Sequence, residues 1–208
     1  MKINSAFLIL FLAWFAVIGQ FVLMLQNRQT GVTEALIRFF SYFTILTNVL
    51  VALYFSTKRF GWSGFVFRLF KTDGALTAIT TFIFIVGLVY QLVLRHLWSP
   101  TGLQFIVDEL LHSVIPLAVL LYWFFNVERR DLTIKSLIIW LLYPIVYLFL
   151  VLVRGHFSEF YPYPFLNVTE IGYSRTFANV GIIFGIALLL MSALMFIGRL
   201  ITKNQSKL

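Results

Sequence analysis

The chain has 208 residues, 61% of them hydrophobic and 12% charged, with a mean hydropathy of +0.93 and a formal charge of +8. Soluble domains carry about 25% charge, so long apolar runs between short polar stretches mean a polytopic helical membrane protein, and their lack of alternation excludes a β-barrel. With no cysteine there are no disulfides, thiolate nucleophiles or thiolate metal sites, and bases placed in loops beside apolar runs meet anionic lipid rather than nucleic acid.

Six apolar runs, 5–26, 35–56, 75–97, 104–125, 134–154 and 176–201, are each long enough to cross ~30 Å of hydrocarbon as a helix. The expected fold class is all-α, a single transmembrane bundle of six helices over residues 1–208. The first run is too long for the apolar segment of a cleaved signal peptide. The second contains RFFSYFTILTN, residues 38–48, which carries Arg38, Ser41, Thr44, Thr47 and Asn48 into a segment headed for lipid. Read as one continuous helix, it puts Ser41, Thr44 and Asn48 within roughly 60° of one another, a polar stripe. Thr44 lies about 10–15 Å below the Glu34 end.

The connection 57–74 is basic and aromatic and fits the headgroup plane. The third run ends on Tyr90, Gln91 and Arg95. The fourth begins with Asp108, Glu109 and His112, and Asp108 and His112 form an i, i+4 pair on one face. That brings His112 to a depth similar to Thr44. Pro116 and Pro144 are expected to kink their helices. The fifth run ends on Tyr147 and Arg154. After it comes YPYPFL, residues 161–166, whose two prolines predict an extended, rigid segment. It is expected to fold back as a partial lid, with Tyr161, Tyr163 or Phe165 on the pocket. The inner half of the sixth run, from Gly185 to Gly198, is nearly featureless and reads as packing or lipid surface.

Charge sets the expected orientation. With the N-terminus in the cytoplasm, eleven bases lie inside, from Lys2 through Lys58 and Arg129 to Lys207, against five outside: Arg28, Arg38, Arg95, Arg154 and Arg175. Both termini are then cytoplasmic, with 98–103 and 155–175 outside.

The polar residues collect in the outer halves of the spans, which predicts one outward-facing polar pocket. Each also has a plain structural role. Threonine and serine bond back to the i−4 carbonyl or join helices, Arg38 snorkels to the interface, and Asp108 with His112 makes a structural pair. The chemistry open to the set is equally definite. A hydroxyl beside a neutral imidazole is the minimum for acyl transfer, an acid can orient that imidazole, and Arg38, Asn48, Arg154 or a tyrosine can supply oxyanion donors. The same groups can bind a proton or a cation. Asp108 and His112 lack the further ligands of a metal site, so neither metal nor cofactor is expected.

RFFSYFTILTN, the Asp-x-x-x-His ahead of Ser113-Val-Ile-Pro116, YPYPFL, WLLYPIVY (140–147) and LVRG (152–155) together resemble the bacterial branch of the androgen-induced-protein family of six-span membrane proteins. The resemblance covers about residues 35–170. Animal members are intramembrane threonine hydrolases of fatty-acid esters of hydroxy fatty acids. By motif, Thr44 matches the nucleophile and His112 the histidine, and YPYPFL, with Tyr163, matches an aromatic stretch near the site. Where the animal proteins carry Asp three residues after the threonine, this chain has Thr47, a rival nucleophile. The histidine also stands one residue nearer its proline. The resemblance implies a lipid ester hydrolase of a bacterial inner membrane. Its expected partners are a lipid substrate and membrane lipids, with no protein partner named by the sequence. A transporter predicts polar residues continuing to the inner side, where the runs read as apolar. A non-catalytic lipid binder predicts a pocket that tolerates loss of Thr44 or His112.

Overall fold

The computed structural model describes residues 2–97 and 99–205, so Trp98, in the connection expected outside, and Lys207, among the bases expected inside, lie beyond the described residues. The chain is all-helical, with no strand among the described residues. Helix α1 is Lys2–Gln26, α2 Val32–Phe39, α3 Phe43–Phe60 and α4 Phe65–Leu69. Helix α5, Ala75–Val89, runs on into a π-helical turn, Tyr90–Leu94. Helix α6, Gly102–Glu109, meets a second π turn, Leu110–Val114, and continues as α7, Ile115–Asn126. A 3-10 turn at Arg129–Leu132 leads to α8, Ile134–Trp140, and α9, Leu142–Ser158. A last 3-10 turn, Pro164–Leu166, precedes α10, Val168–Gln205. Among the described residues, five helical runs are long and apolar enough to cross a membrane, and α2 with α3 makes a sixth if that bent pair is one span. The set fits an integral membrane protein.

In lipid, apolar burial does not draw helices together; close packing and interhelical hydrogen bonds do. Helices α1 and α3 meet with small residues, Ala13, Ala16 and Ala52, completely buried, and Trp14 Nε1 donates to Ser56 Oγ at 3.0 Å. Helix α5 is the hub, packed by α3, α7 and α10. Helix α9 is attached differently, by polar links to the second span. Tyr143 OH lies 2.9 Å from Thr47 Oγ1, Tyr147 OH donates to Ser41 O at 3.0 Å, and Arg154 Nη2 donates to Glu34 Oε1 at 2.6 Å. Positions 143, 147 and 154 repeat at helical spacing, so one face of α9 carries all three.

The fifth run stays one apolar span, Ile134–Ser158, and is disturbed near Pro144 as expected, with a break at Leu141. Three expectations need correction. The second run is not one helix over 35–56: α2 and α3 are bent by 72° across residues 40–42. The sixth begins at Val168 and is interrupted at Gly172, whose φ of 75° and ψ of 162° are not helical. The inner halves are not wholly apolar either: Ser56, Thr57, Thr77, Thr80 and Thr81 are buried there. These side chains are mostly satisfied within the helices. Thr80 and Thr81 bond back to Leu76 O and Thr77 O, and Trp123 Nε1 donates to Thr77 Oγ1. Threonine in a strongly apolar run barely lowers its hydropathy, which hides such a layer from the sequence. In the connection 57–74, α3 closes on Gly61 at φ 67°, and Phe65 of α4 is 90% exposed.

Candidate functional site

The bend in the second span makes the site. Ser41 Oγ donates back to Ile37 O at 2.7 Å while Ser41 O accepts from Tyr147 OH, so the corner is tied from both sides. Ser41 therefore serves the corner rather than a continuous polar stripe. A new helix starts at Phe43, and Thr44 falls in its first turn, where backbone N–H groups have no intrahelical partner. Thr44 N–H donates to Tyr163 OH at 3.2 Å, and Thr44 Oγ1 lies 3.3 Å from the same phenol oxygen. The N-terminal end of α3 also carries a positive partial charge.

Thr47 and Asn48 face elsewhere. Thr47 is fully buried against Tyr143. Asn48 Nδ2 donates to Thr44 O at 2.9 Å and to Leu111 O at 3.3 Å, which joins the helix of Thr44 to the turn of His112. Its Oδ1 is buried without a partner.

His112 sits in the second π turn. Pro116 has no N–H to give back to the preceding turn, and Ile115 N–H reaches Leu110 O in the wider π pattern. The fourth span is thus not a plain α-helix, although Asp108 and His112 still meet. His112 Nδ1 lies 2.9 Å from Asp108 O and 3.2 Å from Asp108 Oδ1. Both oxygens are acceptors, so in the neutral imidazole Nδ1 is the donor and Nε2 the acceptor. Tyr90 OH donates to Asp108 Oδ2. The Tyr90 ring stacks on His112 with centroids 4.1 Å apart and planes 10° apart. Tyr90 was placed from the sequence with Gln91 and Arg95 at the pocket end of the third run but given no part in the site, and the structure puts it directly against His112 and Asp108. Behind it, Gln91 Nε2 donates to Ser113 Oγ, which donates to Glu109, and so pins the two π turns together.

Gly87 sets how closely α5 approaches this turn. A Cβ there would lie 3.1 Å from both His112 O and Pro116 Cβ. Gly87→Val should therefore cost about 1–3 kcal/mol by overpacking. Its loss of thermal stability should come with a weaker Tyr90–His112 stack, read from the histidine ring shifts by NMR.

A cavity of about 640 Å³ brings Arg38, Thr44, Tyr90, Asp108, His112 and Tyr163 to one wall. A smaller apolar cavity of about 110 Å³ lies between α5, α9 and α10 and shares Thr44 and Tyr163 with the first. Thr44 and His112 thus face one space. No hydrogen bond joins them among the described residues, and the threonine hydroxyl lies against Tyr163 OH instead. Of the expected oxyanion donors, Asn48 is committed to two carbonyls. Arg38 Nε and Arg154 Nη2 both donate to Glu34 Oε1, at 2.7 and 2.6 Å, and both guanidiniums stack on Phe160, at 4.4 and 5.1 Å from its ring centroid. Tyr163 is the tyrosine at the hydroxyl. Thr47, Asn48 and Arg154 line neither cavity.

The segment 159–167 closes over this wall. Tyr163 packs edge-on against Tyr42 at 5.7 Å and stacks on Phe165 at 5.1 Å. Burial pushes the Tyr163 phenol up to about 12, so it keeps its proton and remains a donor. Pro164–Leu166 is a 3-10 turn, so the segment is not extended throughout. Tyr161 lies against Gly155, where a Cβ would come within 2.1 Å of its ring. Gly155→Ala should displace Tyr161 and loosen the segment, seen as faster proteolytic nicking between Ser158 and Asn167 with the helix content unchanged. Among the described residues, no group of three or more acidic or histidine side chains is placed to hold a metal. Comparison with known protein families, curated proteins and solved structures gives no match for this chain.

Proposed function

We propose that the protein is an intramembrane lipid ester hydrolase with Thr44 as nucleophile and His112 as general base, in line with its resemblance to the androgen-induced-protein family. One observation carries this: a hydroxyl at a helix N-terminus and an imidazole line the same cavity. In the neutral imidazole, Asp108 beside Nδ1 selects the tautomer with Nε2 as the base, as acyl transfer requires. Thr44 turns about χ1 from Tyr163 toward Nε2, which takes its proton as Oγ1 attacks the ester carbonyl. The Tyr163 phenol, released from the threonine, donates to the tetrahedral oxyanion. Collapse expels the alcohol, which receives the proton from Nε2 and leaves an acyl-threonine. Water, activated by the same Nε2, hydrolyses that ester and restores the hydroxyl.

The Thr44–Tyr163 bond favours one second reading, a lipid-binding protein with an inert hydroxyl. Transport gains no comparable support, since the buried hydroxyls of the other half line neither cavity. A panel of long-chain esters separates the first two. His112→Ala should reduce turnover by about 10²-fold or more, as loss of a general base does. Thr47→Ala should keep most activity, because Thr47 lies behind the wall. Equal loss in Thr44→Ala and Thr47→Ala would remove the assignment.

We also infer that the site end of the bundle faces away from the cytoplasm of a bacterial inner membrane, with both termini inside. The eleven-to-five split of bases supports this. Reporter fusions at Thr72 and Asn167 should report cytoplasm and exterior respectively. A cytoplasmic signal from Asn167 reverses the orientation.

A further inference from the structure

We propose that the two cavities meeting at Thr44 sort the two halves of the ester: the acyl chain occupies the apolar cavity, the alcohol the larger one. The assignment rests on the hydrolase reading for the chemistry, and on cavity shape and lining for the rest. His112 must return its proton to the leaving oxygen, and His112 lines only the larger cavity. The alcohol half therefore lies on that side. The remaining space that touches Thr44 is the 110 Å³ cavity, which has no charged lining residue.

Its geometry suits a chain that arrives sideways from the bilayer. Helix α9 is tied to the second span through Tyr143 and Tyr147, and half-buried Pro144 and Leu148 of α9 line the cavity together with half-buried Ile183 and Phe184 of α10. Along α10 the wall runs from Val180 to Ala187, about 10 Å at 1.5 Å per residue. Ala187 is the last lining residue along α10, the farthest on that helix from the Tyr163–Leu166 segment that precedes it. The volume is below the ~150 Å³ of an apolar cavity that takes benzene. The enclosed part thus holds a short stretch of chain, and Ala187 sets where it ends.

A fatty acid bearing a terminal diazirine, irradiated with the wild-type protein in nanodiscs and mapped by mass spectrometry, tests the location without needing turnover. Phe82, Ile85 and Val86 are buried, so bulk lipid does not reach them. Crosslinks there, suppressed in Ala187→Phe, are expected. Crosslinks confined to lipid-facing residues or to the Arg38 cavity overturn the site. Turnover gives the second arm. Ala187→Phe should lower kcat/KM for long acyl chains at least about tenfold relative to short ones. Phe184→Ala, at the half-buried edge, should shift preference the other way. Parallel loss for all chain lengths in folded variants also overturns it. Crosslinking inside the cavity with no turnover of any ester defeats the hydrolase reading and keeps the acyl site. Turnover with crosslinks elsewhere does the reverse.

Discussion

Thr44→Ala should lower ester turnover by roughly 10³-fold or more, with the protein still inserted and folded. The side chain makes one hydrogen bond, at 3.3 Å to Tyr163 OH, so its removal should cost only about 0.5–1.5 kcal/mol of stability. The Thr44 backbone N–H still reaches the phenol, so the segment over the site stays in place. Thr44→Ser keeps the nucleophilic oxygen and should recover a substantial part of the rate. Combining Thr44→Ala with His112→Ala should add little to either loss, because the two act as one unit. The check is a kcat comparison in nanodiscs beside a thermal melt for each variant.

Asp108→Asn should have the second largest effect, a loss of about 10²–10⁴-fold in kcat with a smaller change in KM. The carboxylate serves two donors, Tyr90 OH at Oδ2 and His112 Nδ1–H at Oδ1. An asparagine has the same shape but one acceptor oxygen, so one donor is left facing an amide N–H. Either the tyrosine loses its partner inside the bundle, at a cost of about 1–3 kcal/mol, or the imidazole loses its orientation. Tyr90→Phe removes the competing donor. The double variant Asp108→Asn with Tyr90→Phe should therefore recover activity relative to Asp108→Asn alone. Strict additivity of the two changes would mean that Tyr90 and His112 do not share Asp108.

The helical class and the apolar runs were legible in the sequence because membrane helices must be long and apolar. Thr44 and His112 were both legible as polar residues in apolar runs, but the depth that paired them was counted along one continuous second helix, and the 72° bend puts Thr44 in the first turn of α3. The bend in the second span was not legible. Phe39-Phe40-Ser41-Tyr42 contains neither glycine nor proline, and the corner is held by Tyr147, 106 residues away. Nor did the sequence reveal that Glu34 takes both Arg38 and Arg154, a pairing across 120 residues. Pro116 pointed to a disturbed helix, but not to a π turn, nor to the close approach of Gly87 and the Asn48 bond to Leu111 O beside it. Tyr163 was legible as part of a stiff aromatic segment. Its seat on the Thr44 hydroxyl follows from the left-handed turn at Glu159, φ 54°, which sends the chain back over the site. These are tertiary facts, and local pattern does not carry them.

The central claim is that Thr44 is a reactive nucleophile. Its most direct measurement is covalent labelling of the purified wild-type protein in nanodiscs with a lipid-tailed fluorophosphonate, followed by mass-spectrometric mapping of the adduct. Attack on phosphorus with loss of fluoride should leave a phosphonate ester on Thr44 Oγ1, absent from Thr44→Ala and slowed in His112→Ala. An adduct on Thr47 or Ser41, or a folded wild-type protein that takes no label, would contradict it.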